Sequence, residues 1–309
     1  MCVVMLFGAG ASAFSDDRSR TPPLGNELFD RLILEGGPAA SLSEAHVLAF
    51  RTTGFEPAMA QILEVGTQHT VDFVRQVAAH LFNYRAGPNN TYLRLLRAIQ
   101  PLRKRVLLAS LNYDTLLEQA LVEIGFQPAY NPAVPYLEGT APVLKLHGSS
   151  NWLPMLPSSV RVFAGNSTTA DSMLAGNFVS GLEMAYTLER NDFQAWASDS
   201  RHSNLTPVLS LYARGKKGLV NNNFLEQLQQ SWGAHVALAQ AVLLIGVRFV
   251  PEDTHIWEPL ARSRATLLVV DPEPNAVLCW AEYVGRPARA IAGAFSSLDS
   301  IVEAVVEHG

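Results

Sequence analysis

The chain has 309 residues, 48% hydrophobic and 17% charged, which supplies core for one large α/β domain or two modest ones and argues against extended disorder. Its net charge of −5, with no basic stripe beyond Arg103-Lys104-Arg105 and Lys216-Lys217, argues against nucleic acid as the main ligand. Two cysteines, Cys2 and Cys279, with no CxxC pair, exclude a four-thiolate zinc site, and no apolar run is long enough for a membrane helix.

The first segment, Val3–Phe7, is apolar but has no basic flank and runs straight into glycines. It reads as a buried strand and not as a signal peptide, so a cytoplasmic protein is expected. Four further short apolar runs come later in the chain: Val106–Leu111, Pro142–Leu146, Ala241–Ile245 and Thr266–Val270. Strands apolar on both faces belong to a parallel sheet covered by helices on both sides.

Between the strands lie helical patterns. Val71, Val74, Ala78 and Leu81 recur at helical spacing, and so do Phe224, Leu228 and Trp232. Two stretches are too long for simple crossovers, from about 26 to 100 and from about 149 to 235. They are expected to be helical insertions forming a smaller lobe beside a Rossmann-like core built from 1–25, 101–150 and 238–309, all within a single domain. Ala164–Ala170, rich in Gly, Asn, Ser and Thr, reads as an exposed loop in the second insertion.

The residues immediately after each strand carry the functional signal. The five runs end in Gly8-Ala9-Gly10-Ala11-Ser12, Asn112-Tyr113-Asp114, His147-Gly148, Gly246-Val247-Arg248 and Asp271-Pro272. Ligands bind at that carboxyl edge of an open parallel sheet. Residues Gly8–Ala13 fit the G-x-G-x-x-A form of a dinucleotide loop, whose glycines let backbone N–H groups approach a pyrophosphate. A tight turn without a ligand has the same pattern. The acidic residue that an ordinary dehydrogenase carries at the end of its second strand is missing, since Thr21–Leu28 reads as a loop entering a helix. A phosphate-binding G-x-x-x-x-G-K-[ST] loop is also missing.

Taken in order, Gly-Ala-Gly-Ala-Ser at 8–12, Ser-Leu-Asn-Tyr-Asp at 110–114, Lys-Leu-His-Gly-Ser at 145–149, Ile-Gly-Val-Arg-Phe at 245–249 and Val-Val-Asp-Pro at 269–272 resemble the sirtuin family. The resemblance is greatest to the bacterial sirtuin-like NAD-hydrolysing domains of anti-phage defence. It implies a sirtuin-like α/β fold and NAD+ as substrate. It also implies that Gly8, Ala9, Gly10 and Ser12 hold the diphosphate, that Thr21 belongs to the cofactor loop, and that Asn112 and Asp114 hold the nicotinamide ribose and the carboxamide. His147 matches the family's general base, and Gly246, Val247 and Asp271 line the adenosine half. Asn112 and His147 are the expected catalytic pair, and no metal is expected.

The residues leave other readings open. Asn112 could cap the helix that comes next, Asp114 could serve that helix's N-terminal dipole, and His147 could be a plain loop histidine. Asp253 and His255 are left without a role, as either pocket residues or the start of a helix. Arg248 could meet a phosphate or a surface carboxylate.

Departures from the protein-deacylating sirtuins bear on the reaction. Their four-cysteine zinc module has no counterpart here, and the first loop continues as Phe14-Ser15-Asp16-Asp17-Arg18-Ser19-Arg20-Thr21-Pro22-Pro23, unlike theirs. The sequence therefore points to water as the acceptor: NAD+ hydrolysis to nicotinamide and ADP-ribose as the output of a defence system. The alternatives are a non-catalytic module that binds NAD or ADP-ribose, or an NAD-dependent deacylase or ADP-ribosyltransferase. Family analogy adds a homo-oligomer and a partner ATPase or other defence protein.

Overall fold

The computed structural model describes residues 3–65, 68–130, 138–156, 182–210 and 221–309. The expected loop at 164–170 lies outside these. Five strands form where the apolar runs predict them: β1 (Val3–Phe7), β2 (Val106–Ser110), β4 (Thr140–Lys145), β7 (Ala241–Ile245) and β8 (Thr266–Val270). All of β1, β2 and β7 is buried, which requires cover on both faces.

Two further strands extend the sheet at its margins, β3 (Gln127–Ala129) and β9 (Ala288–Ala292). Among the described residues the seven form one parallel sheet in the order β3-β4-β2-β1-β7-β8-β9. From the central β1 the chain passes to β2, out to the marginal β3 and back to β4 between them on one side, then returns to wind outward through β7, β8 and β9 on the other. That makes the fold an α/β parallel sheet of the Rossmann-like kind, with a topological switch point between β1 and β7. A crevice outside the carboxyl ends of the strands opens at such a point.

The first long stretch is helical, as its periodicity predicts. It holds α2 (Gly25–Glu35), α3 (Glu44–Thr53), α4 (Phe55–Val65), α5 (Gln68–Phe82) and α6 (Thr91–Ile99), after the short α1 (Ala9–Ala13). These helices bury an aromatic cluster of their own: Phe29 stacks on Phe50 at 3.8 Å between ring centroids, with Phe55 and Phe73 tilted against Phe50. Gln76 of α5 ties the end of α2 in place. It accepts from Ala39 N–H at 2.8 Å and donates to Leu32 O and Gly36 O at 3.0 and 2.8 Å, satisfying carbonyls that a helix end leaves orphaned.

The second stretch departs from the expectation of helices alone. An antiparallel pair, β5 (Trp152–Met155) and β6 (Glu183–Tyr186), precedes α8 (Arg190–Ser198) and α9 (Asn222–Leu238). Its four-residue strands are too short to show an alternation in the sequence. The two stretches touch: Arg75 of α5 donates to His202 O and Leu205 O at 2.7 and 2.8 Å, and its guanidinium lies over Trp196. Earlier in the chain α7 (Leu116–Glu123) follows β2, and the chain finishes with α10 (Thr254–Arg262) after β7, α11 (Asn275–Tyr283) after β8 and the terminal α12 (Leu298–His308).

Candidate active site

At the switch point the loops leaving β1 and β7 are in backbone contact. Gly8 N–H donates to Ile245 O at 2.9 Å, continuing the ladder, and Gly10 N–H donates to Gly246 O at 3.1 Å. A methyl group on Gly8 would lie 2.3 Å from Gly246 O, and one on Gly246 would lie 2.1 Å from Ala11 N. Gly246 also has φ +61°, a left-handed conformation costly for other residues. The glycines of both loops are thus demanded by the protein's own backbone. Ala11 N–H turns back to Gly8 O at 3.0 Å, so three N–H groups of the expected diphosphate loop, those of Gly8, Gly10 and Ala11, are already engaged.

Asn112, two residues beyond β2, reaches under this loop. Its Nδ2 donates to Gly8 O at 2.8 Å and to Ser12 Oγ at 2.9 Å, with Tyr92 OH at 3.4 Å. A carbonyl oxygen can only accept, so the contact with Gly8 O settles which way the amide faces. Both amide hydrogens are committed to the protein, and Oδ1 is turned away from them as an oriented acceptor. Ser12 Oγ and Tyr92 OH lie 3.0 Å apart, and burial holds the Tyr92 phenol well above its ordinary pKa, with the nearby Asp114 charge adding to the rise. Asn112 does not cap α7. That task falls to Asp114, whose Oδ1 accepts from Leu116 N–H at 3.1 Å.

His147 is two residues beyond β4, the neighbour of β2, with Ser110 and Lys145 paired across the two strands. The loops leaving these strands are knitted together: Leu146 N–H donates to Ser110 O at 3.0 Å and Ser150 N–H to Tyr113 O at 2.9 Å. Asn112 and His147 therefore lie in the loops leaving adjacent strands at one sheet edge, and both are buried, at 7% and 4% exposure. The His147 carbonyl accepts from Ser210 N–H at 2.7 Å. Gly148 turns with φ +84° against Val208 O, a contact that leaves no room for a side chain.

Two residues to which the sequence reading gives no role join His147. Its Nε2 lies 3.1 Å from His255 Nε2 and 3.9 Å from Asp253 Oδ2. Asp253 precedes α10 and His255 lies in its first turn, so the loop after β7 and the loop after β4 converge. The sequence does hold a signal for them. An aspartate and a histidine two apart at a helix start, just past a strand on the ligand edge, are placed for chemistry.

Beneath the edge lies a fully buried ion pair. Lys145 Nζ is 2.9 Å from Glu118 Oε1 and donates to Asp114 O at 2.6 Å, tying α7 to β4 below the site. Burial raises the Glu118 pKa, and the Lys145 charge works in the opposite direction.

The other expected site residues are less uniform. Ser12 is buried in the Asn112 network, whereas Ala9 is exposed and Gly10 half-buried. Thr21 and Val247, each 2% exposed, are packed into the interior. Asp271 accepts from Glu273 N–H at 2.8 Å and caps its own turn. Arg248 is exposed. Two open cavities of about 400 and 310 Å³ lie around Arg85 and Arg190, and neither is lined by Asn112 or His147.

No known family profile matches the chain, and no curated protein matches it. Among solved structures it is similar to a Sir2 homologue in complex with NAD, at 14% identity over 99% of this chain and 89% of that one, with a TM-score of 0.47. A Sir2 homologue mutant in complex with ADP-ribose is similar at 13% identity over 99% and 90%, TM-score 0.43. A Sir2 complex with a peptide and NAD+ is similar at 12% identity over 99% and 92%, TM-score 0.44.

Proposed function

We propose that this protein cleaves the bond between nicotinamide and ribose in NAD+, with water as acceptor, giving nicotinamide and ADP-ribose. The observation that carries the reading is the clamped amide of Asn112. With Nδ2 held by Gly8 O and Ser12 Oγ, its carbonyl oxygen is preoriented at the carboxyl edge of the sheet, beside the loop from β4 that bears His147.

The chemistry asks for such a group. As the C1′–N bond breaks, its electron pair goes to the pyridinium nitrogen, nicotinamide leaves neutral, and positive charge grows on the ribose carbon. A fixed carbonyl dipole, with no reorganisation to undergo, stabilises that charge or holds the attacking water. His147 accepts the proton from water or from a ribose hydroxyl, work for which an imidazole suits neutral pH. The Gly8–Ser12 loop lies beside the diphosphate, Thr21 and Asp114 on the nicotinamide side, and Gly246, Val247 and Asp271 on the adenosine side. Consumption of NAD+ by such an enzyme halts a cell, which suits the output of an anti-phage defence system working as a homo-oligomer or beside a partner ATPase.

The test is nicotinamide release from NAD+ by the full-length protein and by His147→Ala. Release by the wild type without peptide, abolished in the variant, is expected. Release that requires an acyl-lysine peptide would replace hydrolysis with deacylation, and binding without turnover would leave a regulatory module.

A further inference from the structure

We propose that His147, His255 and Asp253 form a binding site for a divalent transition metal of the zinc class, and that metal bound there blocks the base. The second half of this statement rests on the proposed NAD+ cleavage, whereas the first does not. One ligand atom from each residue lies within 4.8 Å of the other two, with His147 and Asp253 buried and His255 half-buried.

The two imidazoles stand as ligands of a common ion do, with the carboxylate close by. Metal–nitrogen and metal–oxygen bonds of about 2.0–2.2 Å put neighbouring donors about 2.8–3.8 Å apart for angles of 90–120°. The two imidazole Nε2 atoms stand 3.1 Å apart, inside that range. Asp253 Oδ2, at 3.9 Å from His147 Nε2, is too far for a hydrogen bond and just outside the range, within reach of a small side-chain rotation. Two imidazoles and one carboxylate favour zinc, cobalt or nickel over magnesium or calcium, which take oxygen donors.

Backbone hydrogen bonds anchor the two segments that carry the donors. His147 is held through its carbonyl by Ser210 N–H at 2.7 Å, and the Asp253 carbonyl accepts from Ile256 N–H and Trp257 N–H at 2.8 and 3.0 Å in the opening turn of α10. A metal here takes up the His147 Nε2 lone pair. That nitrogen then no longer accepts a proton, and zinc acts as an inhibitor.

Titrating tag-free, full-length protein with Co2+ and following the ligand-field absorption reads the site without NAD+. Saturation at one Co2+ per chain, displaced by Zn2+, is expected, with affinity lowered about tenfold or more in His255→Ala and in Asp253→Asn. Circular dichroism checks that both variants fold. Absence of ligand-field bands, or equal Co2+ affinity in wild type and both folded variants, overturns the proposal and shows the imidazole contact to be a hydrogen bond only. In the nicotinamide assay, release should fall as Zn2+ fills the site and recover with a chelator. Unchanged release at saturating Zn2+ would refute the inhibitory half. If no nicotinamide is released under any condition, the NAD+ reading fails while the Co2+ titration still decides the metal site.

Discussion

Replacing Asn112 with alanine separates a catalytic amide from a structural pin, because the two roles predict losses of different size. The wild-type amide makes two good hydrogen bonds, to Gly8 O and Ser12 Oγ, and a long third contact to Tyr92 OH. Two neutral buried bonds contribute about 1 kcal/mol each, and a partly unsatisfied Ser12 adds to the loss, so Asn112→Ala should cost about 2–3 kcal/mol of stability. For a chain of this length the unfolding entropy is about 0.6 kcal/mol per kelvin, so that cost corresponds to a fall in Tm of about 3–5 °C. At 25 °C the variant remains folded. Loss of a preoriented dipole from the developing charge should lower turnover by about 100- to 1000-fold. Calorimetry gives the first quantity and nicotinamide release at saturating NAD+ the second. A variant with the expected fall in Tm but turnover within about threefold of wild type would refute the catalytic role and leave Asn112 a strut beneath the glycine loop.

Gly246→Ala should be far more damaging than an ordinary loop substitution. Its φ of +61° strains alanine by about 1–2 kcal/mol. Backbone atoms of Gly10 and Ala11 would meet the new methyl at 2.6 and 2.1 Å and have nowhere to move, so a total loss above about 4 kcal/mol is expected in urea unfolding. A loss under about 1 kcal/mol would show that the two loops slide apart freely. The buried Glu118 should leave a pH signature. Its folded pKa is raised by burial above 4.5, so the native protein holds this proton more tightly than the unfolded chain does, and its contribution to stability falls as pH rises from about 4.5 through the raised value. Glu118→Gln removes the titration. The stability of the variant relative to wild type should therefore move in the variant's favour between pH 4.5 and neutrality, and a flat or opposite trend in denaturant midpoints would contradict the assignment.

The sheet is largely legible in the sequence because its inner strands are apolar on both faces. Val3–Phe7, Ala241–Ile245 and Thr266–Val270 are continuous hydrophobic runs, and the observed bounds coincide with them. The marginal strands are not legible, for the converse reason. Gln127–Ala129 contains a proline and is half exposed, and Ala288–Ala292 places Arg289 among alanines on a solvated edge. Their strand character comes from pairing with β4 and β8, a tertiary cause that single-strand patterning does not carry. Asp253 and His255 are signalled only as residues at a helix start on the ligand edge, and their partnership with His147 is again tertiary. Nothing in their local sequence announces that a histidine about 100 positions earlier will stand against them.

The glycine loop shows how a motif can be right in place and incomplete in cause. Gly-Ala-Gly-Ala-Ser reads as a cradle for a diphosphate, because glycine lets a ligand approach the backbone. In the structure Gly8 is required first by Gly246, which closes on it from the neighbouring strand, packs tightly on Gly10 and takes up the Gly10 N–H. Glycines at these positions would persist in a protein of this fold that bound no nucleotide at all. The weight of a functional argument therefore shifts to groups that internal packing does not demand. Tyr92, Ser12 and Gly8 O could be satisfied by other polar arrangements, yet they converge on one side of the Asn112 amide and leave its oxygen pointing away from them. An oriented acceptor at the carboxyl edge, flanked by a loop that bears a buried histidine, serves a ligand better than it serves the fold.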